Sequence, residues 1–217
     1  MNNLTTIYLV RHGESKKNAA FHANDETYKS NDPLGSYLSD TGITQAKTRA
    51  KTLKNVHFDA AFSSDLNRAR QTAEIIALEH DLEVKTTEVI RERVYGKTWE
   101  NNSVEVRKKF QDEMQAKLEK LDKVAALQYK HFPDMESGEE VVSRLITFLR
   151  EIAVAYEGKT LLVVAHGNLM RMFLIHIGFG NMQELRTGTI TNTGYVKLES
   201  DGVDFFVRET SGITKKL

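Results

Sequence analysis

Two short apolar runs stop dead at a histidine. Ile7–Val10 ends in Arg11-His12-Gly13, and Leu161–Ala165 ends in His166-Gly167. Four or five consecutive apolar residues bounded by polar ones read as strands buried on both faces, the pattern of a parallel sheet covered on each side. Ala60–Phe62, closed by Ser63-Ser64-Asp65, and Val84–Thr87 are two further strand candidates. Helical stripes stand between them. Ile43, Ala46, Ala50 and Leu53 follow a candidate N-cap at Thr41, and Ala69, Thr72, Ala73, Ile76 and Ala77 follow one at Asp65. Val141, Leu145, Ile146, Leu149, Ile152 and Ala153 follow Ser137 and Glu140, which have capping-box spacing. This alternation predicts an α/β three-layer sandwich, a mainly parallel sheet flanked by helices. Thr189–Leu198 and Val203–Glu209, joined by Asp201-Gly202, predict a closing hairpin. The 101–131 stretch carries Phe110, Met114, Leu118, Leu121 and Ala125 at helical spacing and no strand, so it predicts a small helical insertion or cap. No repeat or linker divides the 217 residues, and residues 1–217 read as one domain.

Composition narrows the function. Thirty basic and thirty acidic residues cancel, which argues against nucleic-acid or membrane-surface partners, whose affinity comes from a basic excess. The absence of cysteine excludes disulfides, thiolate nucleophiles and cysteine metal sites. No signal peptide or membrane-length apolar run is visible, so a cytoplasmic protein is expected. The seven histidines include no pair at zinc-ligand spacing, and neither metal nor cofactor is expected. Ligands of open parallel sheets bind beyond the carboxyl ends of the strands. There this chain places Arg11-His12, Ser64-Asp65 with Arg68, and His166-Gly167, with helices starting beside the last two. Taken singly, a histidine ending a strand is commonly structural and Arg68 is a solvated helix residue. Together, two arginines, two histidines and helix N-termini converging on one place predict a phosphate site.

Ordered blocks add a resemblance. Leu9-Val10-Arg11-His12-Gly13-Glu14-Ser15, Leu38-Ser39 to Gln45-Ala46, Ser64 to Ala73, Glu92-Arg93-Val94-Tyr95-Gly96 and Val163 to Gly167 resemble the signature blocks of the histidine phosphatase, or phosphoglycerate-mutase-like, superfamily, in the family's order. The resemblance implies that fold and a phosphoryl transfer in two steps. His12 would be the nucleophile, and Arg11, Arg68 and His166 would surround the phosphoryl oxygens. Glu92 would be the proton donor. Asn18 and, more weakly, Ser64 match positions near the phosphoryl group, and Arg93, Tyr95 and Gly167 belong to substrate-contacting blocks.

Both hydrolysis and mutase chemistry occur on such a core, and some relatives only bind. Phosphoglycerate mutases continue after the glutamate block with a lysine-bearing run and a paired-arginine, proline-rich segment. This chain has Asn101-Asn102-Ser103 and then Arg107-Lys108-Lys109, which reads as a solvated charge run. The departure favours a phosphatase acting on a small phosphorylated substrate, with phosphoglycerate mutase as the alternative and a non-catalytic phosphate-binding module as a third reading. Two further departures are Ser30–Tyr37, an extension before the Leu38 block, and Glu140, where many phosphatase relatives carry serine. Tyr95, Trp99, Asn101, Asn102 and Ser103 are expected to touch the leaving group. A homodimer is open.

Overall fold

The computed structural model describes residues 3–216. In chain order its elements are β1 (Thr5–Arg11), α1 (Lys16–His22), α2 (Asp40–Leu53), β2 (Ala60–Ser64), α3 (Asn67–Ala77), β3 (Val84–Thr87), α4 (Lys97–Glu100) and α5 (Val104–Leu118). They continue with α6 (Lys123–Gln128), α7 (Gly138–Ala155), β4 (Thr160–Ala165), α8 (Gly167–His176), β5 (Ile190–Ser200) and β6 (Phe205–Ile213). The strands form one sheet in the order β3-β2-β4-β1-β5-β6. The first four in that order run parallel, and β5 and β6 close it as an antiparallel hairpin. The expected mainly parallel α/β sheet is therefore the one that forms. Its last strand runs past the expected end at Glu209.

The unbroken apolar runs are explained by two cores. Ile7 and Leu9 of β1, Phe62 of β2, and Leu161 and Val163 of β4 pack with Leu145 and Leu149 of α7 and Phe173 of α8. Their neighbours Tyr8, Val10, Ala61, Leu162 and Val164 point the other way, onto Leu53 of α2 and Ala69, Ala73 and Ile76 of α3. Successive strand residues face opposite sides, so a strand covered twice must be apolar throughout. No helix among the described residues is long and apolar enough to cross a membrane.

Residues 101–131 are helical as expected, with Met114 and Leu118 of α5 buried in the α7–α8 core. The Ser137–Glu140 capping box forms, each side chain accepting the other residue's backbone N–H. Two caps differ from expectation. α2 is capped by Ser39, whose hydroxyl accepts the Gly42 N–H at 3.0 Å, and Thr41 is the second residue of its first turn. Asp65 does not cap α3; Leu66 holds that position without a side-chain bond, and the Asp65 carboxylate instead receives Arg91. The short α1 was not anticipated, because none of its residues is buried and it carries no apolar stripe.

Candidate active site

Register brings the strand ends level. Arg11 pairs with Ala165 and Ser63 with Val164, so β1, β4 and β2 finish side by side. The His12 N–H donates to the Ala165 carbonyl at 3.0 Å, extending the pairing by one residue. α3 and α8 begin at this margin and bring Arg68 and Gly167 to it.

The His12 Nδ1 lies 2.6 Å from the Gly13 carbonyl oxygen. A carbonyl only accepts, so Nδ1 carries the proton and Nε2 holds the lone pair. Arg68 Nε donates to that Nε2 at 3.1 Å, and its Nη2 donates to His166 Nδ1 at 3.1 Å. A guanidinium cannot accept, so the proton of the neutral His166 sits on Nε2. The two imidazoles stand 5.1 Å apart. Burial first, and then the charge of Arg68, holds both well below the ordinary histidine pKa. His166 Nε2 and Arg11 Nε are buried donors with no hydrogen-bond partner among the described residues. Leaving such a group unpaired costs about 1–3 kcal/mol, so this cluster is built to receive acceptor oxygens.

Glu92 reaches the cluster from the loop after β3. Its Oε1 accepts the N–H groups of Leu169 at 3.0 Å and of Arg93 at 2.9 Å, and Oε2 accepts that of Asn168 at 3.1 Å. It thereby caps α8, where unpaired N–H groups concentrate positive potential. Gly167 lets Arg11 lie across the start of that helix, since a Cβ there would stand 3.0 Å from Arg11 Nε.

The model of the histidine phosphatase superfamily (branch 1) matches residues 7–211. The chain belongs to that superfamily. The uncharacterized phosphatase PhoE of Bacillus subtilis is 29% identical over 196 residues, covering 90% of this chain and 89% of PhoE. A phosphoglycerate mutase of Schizosaccharomyces pombe is 32% identical over 178 residues, covering 79% and 78%. Among solved structures, Bacillus stearothermophilus YhfR superposes with a TM-score of 0.72 at 25% identity, covering 97% of this chain and 98% of YhfR.

In this histidine phosphatase superfamily member the cluster forms the floor of a cavity of about 970 Å³. Arg11, His12, Asn18, Arg68, Glu92, Arg93, Tyr95 and Gly167 line it, and His166 lies behind Arg68. The Asn18 Oδ1 accepts the Ser15 N–H and hydroxyl, capping α1 and leaving its NH₂ group for a ligand. Tyr95 stacks on Trp99 at 4.7 Å, and its hydroxyl accepts the Asn168 amide.

Other expectations are corrected. Ser64 is buried and lines no part of the cavity; its Oγ accepts the Leu66 N–H at 3.3 Å and shapes the turn into α3. Arg93 does line the cavity, as its block implied, and its Nε also donates to the Glu136 carbonyl at 2.7 Å, which fastens the Glu92 loop. Asn101, Asn102 and Ser103 stay outside. The Asn102 amide donates to the Thr98 carbonyl, and the Ser103 hydroxyl caps α5. Arg107 and Lys108 are not a solvated run, since both line the cavity, whereas Lys109 pairs with Glu113.

Sequence reading missed three kinds of residue. Thr72 accepts the Gly13 N–H at 3.0 Å and donates to the Arg68 carbonyl at 2.7 Å, tying the loop after β1 to the turn that bears Arg68. Its one signal is a hydroxyl four residues after Arg68 on a stripe of alanines. The Asn192 amide donates to the His12 carbonyl at 3.1 Å, with no sequence signal at all. Arg171 is buried and lines the cavity, its guanidinium pulled down to about 10 by burial.

Proposed function

We propose that this chain is a phosphomonoesterase that hydrolyses a small phosphorylated metabolite through a phosphohistidine on His12. The observation that supports it best is the tautomer of His12, with Nδ1–H held by the Gly13 carbonyl and the Nε2 lone pair turned to Arg68. In the first step Nε2 attacks phosphorus and the P–O bond to the leaving group breaks. The phosphoryl oxygens take over the donors of Arg68 and engage Arg11 and His166, which stabilise the charge spread over them in the transition state. Glu92 gives its proton to the leaving oxygen. In the second step water attacks phosphorus, its proton passes to Glu92, the N–P bond breaks, and phosphate leaves with the Nε2 lone pair restored. No metal enters this route, so activity should survive EDTA; complete, metal-reversible loss would overturn the mechanism. The retention of His12, Arg11, Arg68, Glu92 and His166 favours an enzyme over a binding module.

The test is to quench turnover of a ³²P-labelled ester. An acid-labile, alkali-stable phosphoprotein should accumulate, and His12→Ala should abolish both it and turnover. Label forming in that variant would remove His12 from the role. The S. pombe relative named a phosphoglycerate mutase keeps a second reading in view. Given 3-phosphoglycerate and a 2,3-bisphosphoglycerate primer, formation of 2-phosphoglycerate faster than phosphate release would establish it instead.

A further inference from the structure

The pairing of β1 with β5 sets Val10 opposite Tyr195. Two residues further, past the end of β1, the same register brings Thr193 opposite His12. Four residues lie between Ile190 and Tyr195 on β5 and one, Gly212, between their partners Ile213 and Ser211 on β6, so β5 bulges there. Thr193 stands in this bulge with a φ of +57°. The left-handed region is costly for a β-branched side chain, and such a residue there is a rare outlier. Glycine would fit that backbone freely, yet the glycine of this stretch is the next residue, Gly194.

A strained residue persists where its surroundings fix it from several sides. Thr193 is buried, its N–H donates to the His12 carbonyl at 3.4 Å, and its own carbonyl accepts Arg49 Nε of α2 at 2.8 Å. Beside it the Asn192 amide donates to the same His12 carbonyl at 3.1 Å. Arg49 is gripped in turn. Its guanidinium lies 4.8 Å from the centre of the Tyr195 ring, and its Nη2 donates to the Ser211 hydroxyl of β6 at 3.2 Å. The Tyr195 hydroxyl donates to Glu209. His12 thus has its N–H on β4, its carbonyl on the bulge and its Nδ1 on Gly13. Holding the carbonyl fixes the peptide plane between His12 and Gly13, from which the Gly13 carbonyl that orients the ring is carried. In-line attack is sensitive to such placement, since a shift of about 1 Å can cost roughly 10²-fold in rate.

We propose that the Asn192–Thr193 bulge, locked from α2 by Arg49, sets the position of the nucleophile, with Arg49 and Asn192 as positioning residues for His12. The inference rests on the reading that His12 attacks phosphorus.

Attack and binding can be read separately. Rapid quench of a ³²P-labelled ester gives the rate at which His12 is phosphorylated, and titration calorimetry gives the affinity for methylphosphonate, which is not hydrolysed. Arg49→Met keeps the length of the side chain and removes its donors. It should slow phosphorylation by about 10–100-fold and leave methylphosphonate affinity within about twofold of wild type, because Arg11, Arg68 and His166 are untouched. Arg49→Lys keeps a donor for the Thr193 carbonyl and should recover most of the rate. Asn192→Ala should show the same split as Arg49→Met, and Lys51→Ala, exposed on the same helix, should match wild type in both measurements. A third readout needs no turnover. The His12 Nδ1–H proton, assigned in NMR spectra by its absence from His12→Ala, should exchange with water about tenfold faster in Arg49→Met and Asn192→Ala. Phosphorylation and exchange unchanged in both variants would overturn the inference, and so would rate and methylphosphonate affinity falling together, the mark of a site that has merely loosened. Asn192→Ala carries the test if Arg49→Met misfolds. A wild type that forms no phosphohistidine would sink the phosphatase reading, and the proton exchange would still decide the inference.

Discussion

His12 and His166 are kept neutral by burial and by Arg68, and this sets how the protein responds to acid. A histidine whose folded pKa lies below its ordinary 6.5 contributes stability that is whole above that pH and lost as pH falls beneath it, because the unfolded chain takes up protons the native state refuses. Each such group changes stability by up to about 1.4 kcal/mol per pH unit. Urea midpoints should therefore be level between pH 7 and 8 and fall from pH 6.5 to 5.5, less steeply in His166→Asn. A wild-type profile flat across that range would show ordinary titration of both rings. Glu92 offers a kinetic test at the same scale. Glu92→Gln keeps an acceptor for the α8 N–H groups but has no acid proton to give. Turnover of alkyl phosphates should drop about 10²–10⁴-fold, and turnover of p-nitrophenyl phosphate much less, since its leaving group barely needs a proton. Equal losses on both substrates would make Glu92 a helix cap and nothing more.

At the scale of elements, α2 and the loop after β1 meet backbone to backbone. A Cβ on Gly42 would stand 1.9 Å from the Glu14 carbonyl oxygen, and one on Gly13 would stand 2.6 Å from that of Gly42. Neither contact is with a flexible side-chain end, so Gly42→Ala must push the helix away from the loop that presents His12. It should cost at least the roughly 1–3 kcal/mol of an overpacked core and lower turnover as well, read from urea midpoints and steady-state rates together. The cap of the same helix discriminates between two neighbours. Ser39→Ala should destabilise by about 1 kcal/mol, whereas Thr41→Ala should fall within about 0.5 kcal/mol of wild type. The opposite ranking would restore the cap expected from sequence.

The whole molecule is two cores on one sheet. Leu149 belongs to the α7–α8 side and Ile76 to the α2–α3 side, both fully buried, and each core includes residues of β1, β2 and β4. Loss of one core therefore uncovers strands that hold the other. Leu149→Ala and Ile76→Ala should each cost about 2–5 kcal/mol and leave a single unfolding transition. Circular dichroism and the fluorescence of Trp99, the one tryptophan, should follow the same curve. A separate early fluorescence change would mean that the helical segment over the cavity melts by itself.

Read alone, the sequence determined the sheet and the floor of the site. Apolar runs report two-sided burial directly, helical stripes report a covered face, and each of the residues in the His12 cluster lies in a recognisable block at a strand end or helix start. What it could not determine was which polar residues meet across distant segments. Ser64 at the end of β2 and Thr72 on α3 carry the same chemistry, yet only Thr72 reaches the loop bearing His12. Thr41 and Ser39 are equally good caps by residue type, and the backbone chose the one whose hydroxyl reaches the Gly42 N–H. On α5 the apolar stripe predicted the buried side correctly, but whether its charged side met water or a cavity depended on α1, some eighty residues earlier in the chain. Periodicity is a local property of the chain, whereas the neighbours of a polar face are set by packing between elements. The tertiary structure alone turned Arg107 and Lys108 from a solvated run into the wall of a site.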